Sequence, residues 1–501
     1  MTTIAPLLLL FALAGIAYPQ NCERLKDLKL PDTTINLVES VPAGLFTFPG
    51  GAATSPKPQV SARCRVSAVI KPSSDSEIEI ELWMPTSDWN GKFLAVGNGG
   101  WSGSINYSGL VQGLRDRYAT ASTDTGHKGG SGSFVLGHPE KVIDFGHRAV
   151  HEMTVKAKAI IHEFYGSAPR RSYWNGCSSG GKQGLKEAQM YPADYDGIIA
   201  GAPANNWSKL SGSLLNMGVT NLKDTANTIP RAKLSIIHNA VLAACDAIDG
   251  VNDGILNDPR QCAFDPATLT CRGADSPDCL TPQQVETARA IYSPLKDQSG
   301  KVVYPGLARS TELAWAPALG GPNPFGIAFD HFRYFVHEDA NWDWRKFDPA
   351  RDVALSEEKD KHIAAVSPDL KAFKARGGKL LLWHGWIDQL ITPENTINYY
   401  NSVLGTMGPK QDDWMRLFMA PGMLHCSGGP GPDHFNALAA LERWVEKGIA
   451  PTQILAYHVT DNRVDMSRPL CPYPQVAEYS GNGSIYDAAN FVCKEPRAQK
   501  K

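Results

Sequence analysis

The chain contains a series of short apolar runs, each bounded by glycine, proline or charged residues. Runs of this length predict buried β-strands, whereas longer segments with apolar residues every three or four positions predict helices. Helical spacing occurs at 150–165 and at 182–190. The predicted strands lie at 77–84, 92–96, 171–174, 197–200, 379–383 and 415–419. Strands that alternate with helices predict the α/β class, with a parallel sheet covered by helices.

The pattern changes in the middle of the chain. Between residues 205 and 373 the strand-like runs disappear, and the sequence becomes rich in proline, glycine, aspartate and aromatic residues. A length of 501 residues allows more than one domain. We therefore predict a lid domain at 205–373, inserted into one α/β core that consists of residues 18–204 and 374–501.

The N-terminus carries an apolar run from Pro6 to Ala17 that ends in small residues and is too short to span a bilayer. It predicts a secretory signal peptide at 1–17, although the usual basic residue is lacking; a buried N-terminal helix is the alternative. The formal net charge of −2 does not favour nucleic acid or an anionic membrane as a partner. We expect a secreted protein, either extracellular or periplasmic.

The ten cysteines support export, because an even number suits disulfide formation in an oxidising compartment. Their spacing does not match the CxxC pairs or Cys/His quartets of zinc sites. Short separations predict three local disulfides: Cys245 with Cys262, Cys271 with Cys279, and Cys471 with Cys493. The sequence alone does not pair the remaining four cysteines, which are Cys22, Cys64, Cys177 and Cys426.

A candidate nucleophile lies at residues 176–180, which read GCSSG and match the G-x-S-x-G motif of a nucleophile elbow. A predicted strand precedes the motif and a predicted helix follows it, which is the context that an α/β-hydrolase requires. Ser178 has glycine two positions away on both sides and is therefore a better candidate than Ser179. A simple Gly/Ser turn is the alternative interpretation of the motif taken alone.

A serine hydroxyl needs a base, and in α/β-hydrolases the serine is followed along the chain by an acid and then by a histidine. Asp388 follows one predicted strand and His425 follows the next. Both therefore fall at the carboxyl ends of strands, where α/β sheets place their ligands. We predict Ser178, Asp388 and His425 as a catalytic triad. His384 precedes the acid and is expected to support the Asp388 loop.

An oxyanion hole requires two backbone N–H groups directed at the developing charge. The amide of Ser179, directly after the nucleophile, is the first candidate. The glycine run at 97–100 follows a predicted strand and supplies the second; Gly100 is our choice and Gly99 the alternative. An ordinary glycine turn is the competing interpretation. Trp101, next to this run, is expected to form a wall of the acyl pocket.

Three segments together resemble the tannase and feruloyl esterase family: 176–183 (GCSSGGKQ), 384–388 (HGWID) and the His425-Cys426 pair. Each segment is weak by itself, but the combination is specific, and the similarity extends over nearly the whole chain after the predicted signal peptide. The resemblance implies a disulfide between Cys177 and Cys426, which adjoin the predicted nucleophile and base. Two buried free thiols are the alternative.

The resemblance also implies a structural calcium site in the lid. Its ligands would be the side chains of Asp246, Asp249 and Asp253 and the backbone carbonyls of Val251 and Ile255. Calcium prefers several hard oxygen ligands, and the two glycines of this loop allow it to close around an ion. The spacing differs from that of an EF-hand, which needs a glutamate at position 12, and a solvated acidic turn is the alternative. No organic cofactor is expected.

These residues predict a secreted serine carboxylic ester hydrolase that forms an acyl-enzyme. The resemblance implies aromatic acyl groups, and we favour hydroxycinnamate-type (feruloyl) esters, either as small molecules or linked to plant polymers. A tannase that cleaves galloyl esters, or a hydrolase of terephthalate-type monoesters, is the related alternative. A serine peptidase on the same fold and a non-catalytic calcium-dependent binding protein are the other hypotheses. Several lid aromatics could stack on the acyl group: Phe325, Phe329, Phe332, Tyr334, Phe335, Trp342 and Trp344.

Overall fold

The computed structural model describes residues 21–50, 52 and 56–496, so the predicted signal peptide lies outside the described residues. Within these ranges, no helix is both long and apolar enough to cross a membrane. The strands in chain order are β1 (Thr33–Val41), β2 (Gly44–Leu45), β3 (Gln59–Val60), β4 (Arg63–Ile70), β5 (Ile78–Pro85), β6 (Lys92–Val96), β7 (Ala119–Thr123), β8 (Arg171–Cys177), β9 (Gly197–Gly201), β10 (Leu295–Lys296), β11 (Val302–Tyr304), β12 (Lys379–Gly385), β13 (Met415–Ala420), β14 (His434–Phe435), β15 (Ile454–Thr460), β16 (Arg463–Leu470), β17 (Val476–Tyr479) and β18 (Phe491–Lys494).

The main sheet has nine strands in the order β1-β4-β5-β7-β6-β8-β9-β12-β13. Strands β6, β8, β9, β12 and β13 run parallel to their neighbours, and β7 is parallel to β6. The pairs β1–β4, β4–β5 and β5–β7 are antiparallel. The predicted α/β class is therefore confirmed, and all six predicted strands belong to this sheet. The sheet is mixed and not wholly parallel, because β5 is antiparallel to both of its neighbours. Strands β1, β4 and β7 were not predicted.

The sheet is covered on both faces, which explains the continuous apolar runs in its central strands. Successive residues of a strand point to opposite faces. Tyr173 and Leu381 enter one buried cluster, whereas Trp174 and Leu380 enter the other. All five residues of β9 are buried. The carboxyl ends of the parallel strands therefore meet at one rigid edge, where the candidate site lies.

The helices pack on both sides of this sheet. Helices α3, α4 and α12 contribute buried side chains to one cluster, and α1 and α13 contribute to the other. Helix α3 contains the helix predicted at 150–165, and α4 contains the one at 182–190. The α-helices formed by the described residues are α1 (Tyr107–Arg115), α2 (Pro139–Ile143), α3 (Ala149–Tyr165), α4 (Ser179–Met190), α5 (Trp207–Leu222), α6 (Leu234–Cys245), α7 (Pro282–Tyr292), α8 (Ala316–Leu319), α9 (Gly326–Asp330), α10 (Pro349–Lys359), α11 (Lys371–Ala375), α12 (Pro393–Met407) and α13 (Ala437–Lys447).

The segment between β9 and β12, residues 202–378, is called the insertion below. It contributes helices α5–α11 and the small hairpin β10–β11 but no strand of the nine-stranded sheet. One hydrophobic cluster, around Ile237 and Trp315, lies wholly within it. A second cluster, around Phe332 and Trp344, also includes Trp101 and Phe145 and so joins the insertion to the core. A long segment inserted into one α/β core is thus observed, and its role as a lid domain remains a prediction. The boundaries at 205 and 373 remain a prediction, and the hairpin departs from the expected absence of strands.

Five disulfides are present in the structure. The three local pairs predicted from spacing are observed, and the remaining cysteines pair as Cys22–Cys64 and Cys177–Cys426. The Cys177–Cys426 bond links positions 249 residues apart and joins the end of β8 to the segment after β13. Disulfides of this number suit an oxidising compartment.

Candidate active site

Ser178 lies in the sharp turn between β8 and α4, with φ of 63° and ψ of −123°. A non-glycine residue adopts such a backbone only when its surroundings enforce it. Two main-chain bonds do so here, because the Ser178 N–H donates to Gly201 O at 3.0 Å and the Ser178 carbonyl accepts from Ala204 N at 3.0 Å. Gly176 is required beside it, since a Cβ at that position would lie 2.5 Å from the carbonyl carbon of Gly180.

His425 and Asp388 form the second part of the site. Asp388 follows β12, His425 follows β13, and His425 Nδ1 lies 2.7 Å from Asp388 Oδ2. The side chain of Asp388 is fully buried, and its Oδ1 accepts the N–H groups of Leu390 and Ile391, each at 2.8 Å. These bonds fix the carboxylate, which in turn can hold the imidazole in one tautomer and orientation.

His384 supports this loop, as expected from its position before the acid. Its Nδ1 lies 2.7 Å from Thr396 Oγ1, and its Nε2 lies 2.8 Å from the carbonyl oxygen of Ile391 and 3.2 Å from Asp388 Oδ2. The ring is fully buried. His384 therefore bridges the acid, the loop after it and helix α12, and it is not placed to act as the base.

The two central groups shift each other's protonation. Burial would raise the pKa of Asp388, but the charge of His425 and hydrogen bonds from His384 and His425 lower that pKa below the usual range. Burial would also lower the pKa of His425, but the Asp388 carboxylate beside it raises that pKa above the ordinary value of 6.5. The pair can therefore combine an ionised acid with an imidazole that accepts a proton.

The disulfide between Cys177 and Cys426 holds the two parts together. Its Cα atoms are 6.0 Å apart, and each cysteine is the sequence neighbour of Ser178 or His425. Cys426 has φ of 63°, so the chain turns sharply on both sides of the bond. Ser178 and His425 line the same two cavities. The structure thus brings together all three residues of the predicted triad.

The predicted oxyanion glycines lie against the start of α4. Gln183 Oε1 accepts the Asn98 N–H at 3.1 Å, Gln183 Nε2 donates to Asn98 Oδ1 at 3.2 Å, and Ser179 Oγ donates to the Gly100 carbonyl at 2.9 Å. Gly100 has φ of +52°. In the part of the chain that the structure describes, the amides of Ser179 and Gly100 donate to no protein acceptor. Both amides therefore remain available to a ligand, and their role stays a prediction.

Two cavities meet at Ser178 and His425. The first, called the apolar chamber, has a volume of about 30 Å³ and the second, called the polar cleft, about 820 Å³. The apolar chamber is lined by Gly100, Ser178, Ser179, Ala204, Trp207, Leu210, Ser211, Leu214, Phe325, Ile327, Ala328, Leu390, Ile391 and His425. The polar cleft is lined mainly by glycines, hydroxyls and amides, including Gly97, Asn98, Gly99, Ser102, Ser104, Asn106, Ser108 and Asn175, together with Phe48, Ile105 and Tyr107.

The expectation for Trp101 is wrong. Its side chain is only 1% exposed and lines neither cavity; it packs on Phe145 and Trp207 and donates from Nε1 to the Ile327 carbonyl at 3.0 Å. Trp207 forms the wall instead. Of the lid aromatics suggested for stacking, Phe325 lines the chamber and the others do not.

Sequence reasoning also gave no separate role to Gln183, although it lies in the quoted 176–183 segment. Its reciprocal amide contact with Asn98 could not be read from spacing, because the two residues are 85 positions apart. Trp207, Leu214 and Ile327 were missed for the same reason. Trp207 and Leu214 lie on α5 and Ile327 lies on α9, and the sequence does not indicate which face of either helix is turned toward Ser178.

The predicted calcium ligands form one acidic loop in the insertion. Asp246 accepts from the Gly254 N–H at 3.0 Å, and Asp249 accepts from the amides of Val251 and Asn257 at 3.0 and 3.1 Å. Asp253 accepts from the Ile255 N–H and pairs with Arg468 at 2.8 Å in a nearly unexposed contact. Burial raises the pKa of Asp249 to about 6.

The donor set of this loop fits a hard divalent cation, because three carboxylates share a single basic partner, Arg468, among the described residues. A cation would neutralise the remaining negative charge. The loop is not among the described groups of three or more ligand side chains whose donor atoms lie within 4.8 Å of one another. Its carboxylates would therefore have to draw together around an ion.

Comparison with known proteins gives a consistent result. The family profile described as "Tannase and feruloyl esterase" matches residues 64–494. An uncharacterized esterase from Xanthomonas campestris is 39% identical, over 94% of this chain and 91% of its own length. A probable feruloyl esterase B-1 from Aspergillus flavus is 36% identical, over 93% of each chain. The crystal structure of feruloyl esterase B from Aspergillus oryzae superimposes with a TM-score of 0.89 and 32% identity, covering 94% of this chain and 99% of that one.

Proposed function

This chain belongs to the tannase and feruloyl esterase family and is a carboxylic ester hydrolase, and we propose that it cleaves feruloyl and related hydroxycinnamate esters with Ser178 as nucleophile. One observation carries the catalytic assignment: the His425–Asp388 hydrogen bond of 2.7 Å lies beside the strained Ser178 turn, at the junction of the two cavities. The names of the relatives support the acyl group.

In the first half of the proposed reaction, Ser178 Oγ attacks the ester carbonyl carbon while His425 Nε2 accepts the hydroxyl proton. Asp388 holds the Nδ1–H and stabilises the imidazolium that forms. The carbonyl oxygen becomes an oxyanion, which the amides of Ser179 and Gly100 stabilise. Collapse of this intermediate breaks the ester C–O bond, and His425 returns its proton to the leaving alcohol.

The second half repeats these roles with water as the nucleophile. His425 accepts a proton from the water as its oxygen attacks the acyl-enzyme carbonyl, and the same amides stabilise the second oxyanion. Collapse releases the acid and returns the proton to Ser178 Oγ. The reaction uses no organic cofactor.

We assign the aromatic acyl group to the apolar chamber and the alcohol to the polar cleft. Aromatic rings gain most from apolar walls, and the chamber is lined by Trp207, Leu210 and Leu214. A volume of about 30 Å³ holds little more than one water molecule, so the chamber must widen for a ring to enter. Phe325 and Ile327 are partly exposed and supply the wall that can move.

We also propose that the protein is secreted, into an extracellular or periplasmic space. The five disulfides, with every described cysteine paired, support an oxidising compartment. The polar cleft has a volume of about 820 Å³, which supports an alcohol that is linked to a plant polymer as one leaving group.

We propose further that the acidic loop binds a structural calcium ion through Asp246, Asp249 and Asp253 and the carbonyl oxygens of Val251 and Ile255. The excess of carboxylates over basic partners supports this assignment. The bound ion would supply charge neutralisation and hold the loop closed, and it takes no part in the ester chemistry.

Chelation tests the calcium assignment. Removing calcium with EGTA should lower the melting temperature of the full-length protein, and added calcium should restore it, since a ligand of the folded state stabilises that state. Asp249→Asn should remove most of the calcium response. An identical melting temperature with and without calcium in the wild-type protein would contradict the proposal.

The function is tested by assaying purified protein on methyl ferulate, methyl gallate and p-nitrophenyl acetate. We expect preference for methyl ferulate, and a loss of more than about 10⁴-fold in kcat for Ser178→Ala. Ser179→Ala is the matched control: it removes a neighbouring hydroxyl and should cost no more than about tenfold, the value of one hydrogen bond.

The outcomes separate the hypotheses. Preference for methyl gallate would assign the chain to the tannase side of its family. Activity on p-nitrophenyl acetate alone would retain the triad but reject the aromatic acyl group. Equal cleavage of amide and ester analogues would favour a peptidase, and full activity in Ser178→Ala would reject the mechanism.

A further inference from the structure

A second cluster of ligand-type side chains lies between α3 and α4, outside the proposed ester chemistry. It consists of His151 on α3, Glu187 on α4 and Asp194 in the loop that follows α4. One nitrogen and two carboxylate oxygens of these residues lie within 4.8 Å of one another. Glu187 and Asp194 are buried, whereas His151 is partly exposed.

Glu187 is the unexplained member of this cluster. Its residue is 1% exposed, and neither carboxylate oxygen has a hydrogen-bond partner. A buried carboxylate without partners is strongly destabilising if it is ionised. The Asp194 carboxylate lies beside it in the same buried cluster. The pair of acids therefore requires a compensating positive charge or a shared proton.

The neighbouring lysine does not supply that charge directly, and the histidine pairs with Asp194 alone. Lys158 Nζ donates to the main-chain carbonyl of Asp194 and not to either carboxylate. His151 Nδ1 lies 2.6 Å from Asp194 Oδ2, and its ring stacks on Tyr191 at 3.9 Å. Stacking holds the imidazole with Nδ1 directed at the carboxylates.

We propose that His151 Nδ1, Asp194 Oδ2 and the Glu187 carboxylate form a binding site for a divalent transition-metal ion of the zinc type. One imidazole nitrogen with two carboxylates is a zinc-type ligand set, whereas calcium prefers oxygen ligands alone. Metal–ligand distances of about 2.0–2.2 Å require the His151 and Asp194 atoms to separate slightly from their hydrogen-bonded spacing. The His151 side chain is 29% exposed, which gives the ion a path from solvent and room for a water as fourth ligand.

The bound ion would join α3, α4 and the loop after α4. It would satisfy Glu187 and stabilise the far end of the helix that begins at Ser179. This site is independent of the proposed ester hydrolysis. It also differs from the other described group of this kind, Cys271, Asp275 and Cys279, because those two cysteines form a disulfide.

The test is a zinc titration of the full-length protein after chelation and reloading with excess calcium, followed by calorimetry and thermal melting. We expect one zinc ion per chain and a higher melting temperature with zinc. His151→Gln and Glu187→Gln should each weaken zinc binding at least about 10–100-fold, the range found even for groups that only support a ligand. Cobalt(II) bound in place of zinc should give the visible absorption bands of a four-coordinate site.

His458→Gln is the matched control, because His458 also pairs Nδ1 with a carboxylate, Asp465 at 2.7 Å, but on the surface and without a second acid. It should leave the tight zinc site unchanged. Wild-type protein that binds no zinc, or binds it as well as His151→Gln does, would overturn the proposal and assign a shared proton to Glu187 and Asp194. If Glu187→Gln does not fold, the partly exposed His151→Gln still decides the question.

Discussion

The apolar chamber and the polar cleft share Ser178 and His425 but are built from different parts of the chain. Trp207, Leu210 and Leu214 of the chamber come from α5, and Ile327 comes from α9, so the insertion provides most of its walls. The polar cleft is formed largely by the glycine run after β6 and the start of α1, which belong to the sheet core.

This difference separates the chemistry from the acyl specificity. The sheet core fixes the reacting groups through short main-chain bonds at strand ends, whereas the insertion can vary its side chains without moving them. The comparison predicts that changes at the shared residues affect every ester. Changes in one cavity should affect only the part of the substrate that it holds.

The largest effect is expected for Asp388→Asn, at the shared centre. The amide cannot stabilise the imidazolium and favours the wrong tautomer of His425, so kcat should fall about 10⁴-fold. The loss should be similar for methyl ferulate and for p-nitrophenyl acetate. Steady-state kinetics on both esters measure this loss. A loss confined to one ester would contradict the claim that the shared residues act on every ester.

The next effect is expected for the double variant Cys177→Ser/Cys426→Ser. Loss of this disulfide should lower kcat about 100-fold, because a displacement of about 1 Å between nucleophile and base is enough for such a loss. Because the bond closes a loop of 249 residues, its loss should also lower the free energy of unfolding by about 5 kcal/mol, the loop-closure entropy of the unfolded chain.

The matched control for that variant is Cys271→Ser/Cys279→Ser, which opens a loop of 8 residues in the insertion. It should lower the melting temperature and leave kcat close to the wild-type value. An equal loss of kcat in both double variants would mean that general stability, and not the geometry of the site, explains the effect.

A change inside the apolar chamber should be selective. Leu214→Phe places a larger side chain in a chamber of about 30 Å³ and so reduces the space for the ring. It should lower kcat/KM for methyl ferulate about 10–200-fold. Activity on p-nitrophenyl acetate should change little, because its acetyl group carries only a methyl group into the chamber. Equal losses on both esters would show that the aromatic ring does not occupy this chamber.

A change in the polar cleft should affect esters according to their alcohol and not their acyl group, and the loss in kcat/KM should be smaller. Ser102 lies in the cleft with its Oγ 2.7 Å from Ser104 Oγ. Ser102→Ala should lower kcat/KM for a feruloylated sugar about tenfold, as expected for one hydrogen bond, and leave methyl ferulate unaffected. An unchanged kcat/KM on the sugar ester would show that the alcohol does not bind in this part of the cleft.

The smallest effect concerns pH. His425 must be neutral to accept the Ser178 proton, so kcat/KM should rise as pH increases through the pKa of His425. Because Asp388 raises that pKa, the midpoint of the acid limb should lie above 6.5 for the wild type. In Asp388→Asn the midpoint should move to lower pH. A wild-type midpoint below 6.5 would contradict the described ion pair.

Among the strands of the main sheet that the hydrophobic pattern did not predict, β7 and β1 were missed for different reasons. Strand β7 reads ATAST and is completely buried, yet its small polar residues form no apolar run. Its burial follows from its place between β5 and β6. Strand β1 lies at the sheet edge, and only Val38 of its nine residues is buried, so its sequence contains no continuous apolar run.

The sequence by itself determined the α/β class, the position of the insertion, the local disulfides and the candidate triad. These features depend on local spacing, because the strained turn at Ser178 needs glycines at fixed offsets and strand ends carry the acid and the base.

Only the tertiary structure decided which side chains meet across long separations. It selected Trp207 over Trp101 as a wall, paired Gln183 with Asn98, and placed Glu187 beside His151 without a hydrogen-bond partner. Side-chain packing joins residues from elements far apart in the chain, and a hydrophobic pattern records that a residue is buried but not which partner buries it.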